Sequence, residues 1–116
     1  MNTIDWSEDI ILVELRQKRR EQDELQRIID RVREWGDCDV IVDFSRVDVV
    51  GGTTLTRLLE LRQLLQDRER TLVLCSVAPA TKGVFTVTRL DEVFDFAKDR
   101  LAALAHFQPI EQRRYA

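Results

Sequence analysis

Two short and almost uninterrupted apolar runs, DVIVDF at residues 39–44 and TLVLCSV at residues 71–77, constrain the fold most strongly. Runs of this length are typical of strands that are covered on both faces of a sheet. The segment between them has helical periodicity, and its apolar side carries Leu55, Leu58, Leu59, Leu61 and Leu65. A strand, a helix and a strand with short loops form a right-handed crossover between parallel neighbours. The sequence therefore predicts an α/β domain.

The residues before this unit add a strand and a helix. DIILVEL at 9–15 is rich in β-branched residues and predicts a strand, with a short partner strand around residues 3–6. Apolar residues recur at intervals of three and four across 21–35, which predicts an amphipathic helix that ends at Gly36.

The residues after Pro79 are harder to interpret. ATKGVFTVTRL favours a strand by residue type and a helix by spacing, and we take it as a helix. EVFDF at 92–96 predicts a short strand, and KDRLAALAHF at 98–107 predicts a final helix. Residues 107–116 contain few core residues, so we expect a frayed tail.

Composition narrows the class of protein. The 116 residues fit one domain, 1–116, and 18 basic against 21 acidic side chains give a net charge of -3. This charge predicts neither nucleic acid nor a membrane surface as a partner. The N-terminus MNTIDWSED has no basic and apolar export signal, so we expect a cytoplasmic protein. Cys38 and Cys75 lie in apolar surroundings and are expected to be buried free thiols.

Residues that could carry catalysis are scarce. His106 is the only histidine, and it stands in the final helix without a partner pattern. Asp43 and Asp48 flank the end of a strand, but the further acids and the lysine of a phosphoacceptor site are not recognisable. No group of residues has metal-ligand spacing. We therefore expect no catalytic residues, no metal and no cofactor.

The joint Gly51-Gly52-Thr53-Thr54, where the strand gives way to the leucine-rich helix, has two interpretations. In the first, the glycines make a turn and a threonine caps the helix. In the second, the glycines let a partner approach the backbone closely, and Thr53 is phosphorylated at the electropositive helix end. Both interpretations place Thr53 at the N-cap or in the first turn.

The order of elements, together with VIVDFSRVDVVGGTTLTRLLELRQLL and TLVLCSVAPATKGVFTVTRLDEVFDF, resembles the STAS domain. This family includes bacterial anti-sigma-factor antagonists and regulatory modules of stress-signalling complexes and anion transporters. The resemblance covers about residues 9–105. It implies a STAS-like mixed β-sheet of four to five strands, with helices packed mainly on one side and the first strand at an edge.

The resemblance also implies a switch. The family's joint typically reads Asp-Ser-Ser-Gly, and its second hydroxyl residue is phosphorylated by a partner kinase that is also an anti-sigma factor. Thr53 stands at that position, whereas Gly51 and Gly52 replace the Asp and the first Ser, and Thr54 replaces the Gly.

The resulting hypothesis is a non-enzymatic signalling module that binds a kinase-type anti-sigma factor, with phosphorylation of Thr53 as the switch. The expected partner-binding residues are Asp48, Gly51, Gly52, Thr53, Thr54, Arg57, Glu60 and Arg62. One alternative is a constitutive scaffold or assembly module that is not phosphorylated. Another is a small phosphate- or nucleotide-dependent enzyme, and a homodimer is left open.

Overall fold

The computed structural model describes residues 3–5, 10–16, 21–35, 38–47 and 50–107, with side chains from residue 10 onward except at 21–23 and 35. Its strands are β1 (Thr3–Asp5), β2 (Ile10–Arg16), β3 (Asp39–Arg46), β4 (Leu72–Cys75) and β5 (Asp95–Ala97). Its helices are α1 (Glu21–Trp35), α2 (Gly52–Asp67), α3 (Pro79–Val87) and α4 (Arg100–His106). The expectations for Asp48 and for a frayed tail at 108–116 fall outside the described residues.

The strands form one mixed sheet in the order β1-β2-β3-β4-β5. Strand β1 lies at an edge and pairs antiparallel with β2, while β2 to β5 are parallel to one another. This topology confirms the predicted crossover from β3 through α2 to β4. Because the four parallel strands end at the same edge of the sheet, the loops that lead into α2, α3 and α4 gather there.

Both faces of the central strands are buried, as their apolar runs predict. Alternate residues of β2, β3 and β4 pack in a large cluster with α1, α2 and α3, namely Ile11, Val13, Leu15, Val40, Val42, Phe44, Leu72 and Leu74. The residues between them form a smaller cluster with α4, namely Leu12, Ile41, Val73, Cys75 and Ala103. Three helices therefore cover one face and one short helix covers the other.

The segment after Pro79 is the helix α3, as predicted, with Pro79 in its first turn. Phe85 is fully buried, and its ring meets those of Phe44, Phe94 and Phe96 edge-on, with centroids 6.3, 5.8 and 5.3 Å apart. Such edge-on contacts add to the free energy that burial alone supplies. Packing of Phe85 thus outweighs the strand preference of the surrounding threonines and valines.

The strand predicted at 92–96 is placed too early. Arg89 has a left-handed backbone (φ 63°) that ends α3, and Leu90–Glu92 form a single 3₁₀ turn. Phe94 is buried ahead of β5 as an anchor in the core, so the strand begins only at Asp95. The apolar residues of EVFDF therefore mark a buried loop as well as a strand.

Helix α4 is tied to the sheet by Arg100. Its guanidinium donates from Nε to Asp43 Oδ2 and from Nη2 to Glu14 Oε2. The Asp43 side chain is only 3% exposed, and its other oxygen accepts from the Ser45 backbone N–H at 2.8 Å. The hydrogen bond to Asp43 raises the pKa of Arg100 above its ordinary value. The buried carboxylate is thus satisfied by a cation and an amide.

We predict that Arg100→Gln lowers the free energy of unfolding by about 1–3 kcal/mol, because it leaves Asp43 buried without its cation. Urea denaturation at neutral pH measures the change. Arg46→Gln is the matched control, since Arg46 is 68% exposed and contacts Glu14 at 3.3 Å; its cost should stay within about 0.5 kcal/mol. Equal losses in the two variants would contradict this account of Asp43.

Candidate functional site

At the joint between β3 and α2, the helix begins without a hydrogen bond from a capping side chain. Gly51 occupies the N-cap with extended backbone (φ −95°, ψ 175°), and Gly52 is the first helical residue. Thr53 follows in the first turn with its side chain exposed, whereas Thr54 is buried at 2% exposure. The interpretation in which a threonine caps the helix is therefore wrong, and the first-turn position of Thr53 is what the structure shows.

The two glycines are not required by the fold. A Cβ atom placed on Gly51 or on Gly52 would meet no atom within 4 Å, and neither residue has a positive φ. A side chain at either position would therefore be tolerated without a clash or backbone strain. Because the glycines have no side chains, the backbone at the start of α2 is uncovered. The first backbone N–H groups of the helix, which have no partner within the helix, lie there.

The outward side of α2 carries Thr53, Thr56 and Leu59. Thr56 is exposed, and its hydroxyl donates to the Gly52 carbonyl at 3.0 Å. Leu59 is 38% exposed, although its spacing predicted that it faces the core with the other leucines. That assignment is wrong because the helix buries Thr54, Leu58, Leu61 and Leu65, and Leu59 lies about 100° away from Leu58 around the axis. Thr53 and Thr56 precede Leu59 at intervals of three residues, and these polar residues could have indicated that this side of the helix is exposed.

The charged residues predicted for the partner surface divide between two sides of α2. Glu60 accepts from Arg33 Nη2 of α1 at 2.9 Å and from Arg57 Nη1 at 3.3 Å. Arg62 donates instead from Nε to the Val93 carbonyl at 2.8 Å, on the side of α3. The structure therefore brings Arg57 and Glu60 to the same side of the helix as Thr53, and it places Arg62 on the other side.

In the part of the chain that the structure describes, the other reactive groups do not assemble into a second site. Burial, reinforced by the Asp43 charge, raises the pKa of the Cys75 thiol to about 11, so the thiol stays protonated. Both cysteines are buried and free, as expected. His106 is exposed, with its ring 5.2 Å from that of Phe107. Among the described residues, no group of three or more His, Cys, Asp or Glu side chains is placed to hold a metal ion.

Within the described parts of the chain, no helix has the length and apolar character that crossing a membrane requires.

Comparison with known proteins identifies the family of the chain. The STAS domain family model matches residues 19–103, which include α1, the joint and all of α2 and α3. The chain belongs to the STAS domain family. A curated relative, described as the putative anti-sigma factor antagonist BtrV of Bordetella bronchiseptica, is 30% identical over 73 residues. That match spans 63% of this chain and 63% of the relative, which is less than two thirds of the relative's length.

Solved structures share the fold at low sequence identity. A serine-to-glutamate variant of RsbS from Moorella thermoacetica has a TM-score of 0.73 and 17% identity over 90% of this chain and 94% of that one. A chain from a study of the molecular architecture of the stressosome, described as a signal integration and transduction hub, has a TM-score of 0.70 and 17% identity. That match covers 90% of this chain and 93% of the other. At these identities the likeness establishes the STAS fold alone.

We predict that Gly52→Ala raises the free energy of unfolding by about 0.4–1 kcal/mol, because alanine fits the helical backbone and loses less conformational entropy on folding. Thermal or urea denaturation measures the change. Gly83→Ala in α3 is the matched comparison, since a Cβ there also meets nothing within 4 Å, and we expect a gain of similar size. A loss of stability confined to Gly52→Ala would show that the fold requires that glycine.

Proposed function

We propose that this chain is a non-enzymatic, cytoplasmic signalling module that acts as an anti-sigma-factor antagonist. In this proposal the start of α2 binds a kinase-type anti-sigma factor, and phosphorylation of Thr53 releases it. The observation that carries the proposal is the exposed Thr53 hydroxyl in the first turn, directly after two glycines with open space above them. The family membership and the anti-sigma-factor antagonist relative support it.

The partner surface consists of the bare joint and the outward side of α2. Gly51 and Gly52 let the partner's atoms come close to the helix backbone, and the exposed Leu59 supplies an apolar anchor two turns further on. Apolar anchors of this kind carry much of the energy of small interfaces. Arg57 and Glu60 give polar complementarity at its border.

Three of the other residues have narrower roles in this proposal. Thr54 is buried, so it positions the turn instead of contacting the partner. Arg62 is held by the Val93 carbonyl and stands at the far border of the surface. Asp48 precedes the joint in the sequence and stays a proposed contact residue, although it lies outside the described residues.

Charge explains why phosphorylation would release the partner and leave the domain folded. A phosphate adds about -1.5 to -2 charge next to the electropositive end of α2, where the domain tolerates it. A partner packed over Gly51 and Gly52 would have to bury a charge that no single neighbouring cation fully neutralises, which is expensive. The partner's kinase activity would supply the phosphoryl group from a nucleotide, and this chain contributes the acceptor hydroxyl.

We expect Thr53→Glu to weaken binding of the anti-sigma partner at least tenfold with a change of stability under about 0.5 kcal/mol, because Thr53 is exposed. The partner is first co-purified from the host and identified, and its affinity for each variant is then measured by calorimetry. Thr86→Glu is the matched control, since Thr86 is also an exposed helical threonine but lies in α3, outside the proposed surface.

Phosphopeptide mass spectrometry of the chain from its host, under growth and stress, supplies the companion result. A condition-dependent phosphate localised to Thr53 supports the switch. Unchanged affinity of Thr53→Glu, together with an unmodified and fully covered peptide, would overturn it.

The exposed leucine gives an independent prediction. Leu59→Ala should weaken partner binding by about 1–2 kcal/mol, since an apolar anchor at the centre of the surface loses its contact. Its effect on stability should be smaller, because Leu59 is already 38% exposed. Val87→Ala in α3 is the control, since Val87 is 84% exposed and lies outside the surface. Equal affinities of the two variants would remove Leu59 from the interface.

A second candidate function is a constitutive scaffold or assembly module that is not phosphorylated. It is favoured by the replacement of the family's Asp-Ser by Gly51 and Gly52, and by the likeness to a stressosome chain. Under this alternative, Thr53→Ala leaves every complex of the chain intact and the host protein carries no phosphate. An enzymatic role that depends on a nucleotide is disfavoured, since a helix start without a Gly-Lys-Ser/Thr sequence has no means to hold the phosphates firmly.

A further inference from the structure

We propose that Arg57 binds the phosphate group on Thr53, exchanging its present partner Glu60 for the phosphate oxygens. The inference rests on the proposed phosphorylation and adds an intramolecular response to it. It follows from the position of Thr53 and from the hydrogen bonds of Arg57 and Glu60 on the same side of α2.

The spacing brings the two side chains together. Thr53 and Arg57 are four residues apart in a continuous helix, so they are neighbours on its surface with Cβ atoms about 5–6 Å apart. A phosphate on the Thr53 hydroxyl extends beyond the short threonine side chain, and an arginine side chain is long enough to reach it. Arginine also suits phosphate, because its planar fork of donors can make two parallel hydrogen bonds.

The present hydrogen bonds of Arg57 leave it incompletely paired. Its Nη1 donates to Glu60 at 3.3 Å, which is a long contact for a charged pair. Its Nε–H is shielded from solvent and has no hydrogen-bond partner in the described structure. A buried donor on a cation that lacks an acceptor is costly. Three phosphate oxygens one turn away would supply the missing acceptor.

Glu60 does not lose its support when Arg57 moves. Its other oxygen accepts from Arg33 Nη2 at 2.9 Å, which is the shorter of its two contacts and links α2 to α1. The exchange therefore leaves the packing of α1 against α2 in place. It changes only the outward surface, where Arg57 becomes occupied by the phosphate and unavailable to a partner. Phosphorylation would thus remove two features of the interface, the neutral threonine and the accessible guanidinium.

The full chain with phosphothreonine at position 53 provides the test. It can be assembled from three synthetic segments joined at the native Cys38 and Cys75 and then refolded. The second pKa of the phosphate is read from its ³¹P chemical shift across pH 4–8. A nearby cation favours the dianion, so replacing it raises that pKa. We expect Arg57→Gln to raise the second pKa by about 0.5 relative to the parent chain, after allowance for screening by salt.

Arg62→Gln is the matched control, because it removes the same charge from the opposite side of the same helix. It should leave the phosphate pKa within about 0.1 of the parent value, since exposed charges separated by about a Debye length are largely screened. Equal pKa values in the parent and Arg57→Gln, or equal shifts in Arg57→Gln and Arg62→Gln, would overturn the pairing.

A second variant keeps the test decisive if Arg57→Gln does not fold. Glu60→Gln weakens the competing partner of Arg57 and should lower the phosphate pKa below that of the parent, whereas Asp67→Asn, a carboxylate further along α2, should not. An unchanged pKa in Glu60→Gln would also overturn the exchange. These measurements involve no partner protein, so they can fail while the proposed release of the anti-sigma factor stands, and the reverse also holds.

Discussion

Burial of the central strands on both faces is the constraint on which the rest of the structure depends. Three helices supply ample apolar cover on one face, but the other face is covered by the seven residues of α4, of which only Ala103 is fully buried. So short a helix has little apolar packing to hold it in place. The paired charges of Arg100, Asp43 and Glu14 add a directional attachment at the carboxyl edge of the sheet. The loops that carry the candidate site leave the sheet at this same edge.

The elements predicted most accurately from the sequence are those whose apolar residues follow a single pattern, either an unbroken strand-like run or helical spacing. The apolar runs of β3 and β4 and the spacing within α1 left few alternatives, and the structure agrees closely with all three. The region after Pro79 was harder because β-branched residues and helical spacing pointed to different structures. There the burial of Thr81 and Phe85, four residues apart, decides for a helix. Phe94 shows the opposite error, since an aromatic residue in a short apolar run was read as part of a strand although it anchors a loop.

The candidate site was predictable in position but not in its contacts. A glycine pair between a buried strand and a helix indicates where a helix N-terminus is exposed, and Thr53 follows directly. The periodicity of apolar residues does not predict which other elements each side of a helix contacts. The link from Glu60 to Arg33, 27 residues earlier, and the bond from Arg62 to the Val93 carbonyl depend on how α1 and the loop after α3 are placed. Leu59 was misassigned for the same reason, because leucine is common on both buried and binding surfaces.

The open space around Gly51 and Gly52 bears on how such domains diversify. Residues whose side chains would touch nothing in their own domain are free to vary without any compensating change in the core. Under the proposed function, selection at these two positions would act mainly through the proteins that dock there, since a side chain would change stability only modestly. In a cell with several related domains, different side chains at this joint would cost the domain little. Each side chain could permit binding of one partner and clash with the others, which would keep the signalling pathways separate.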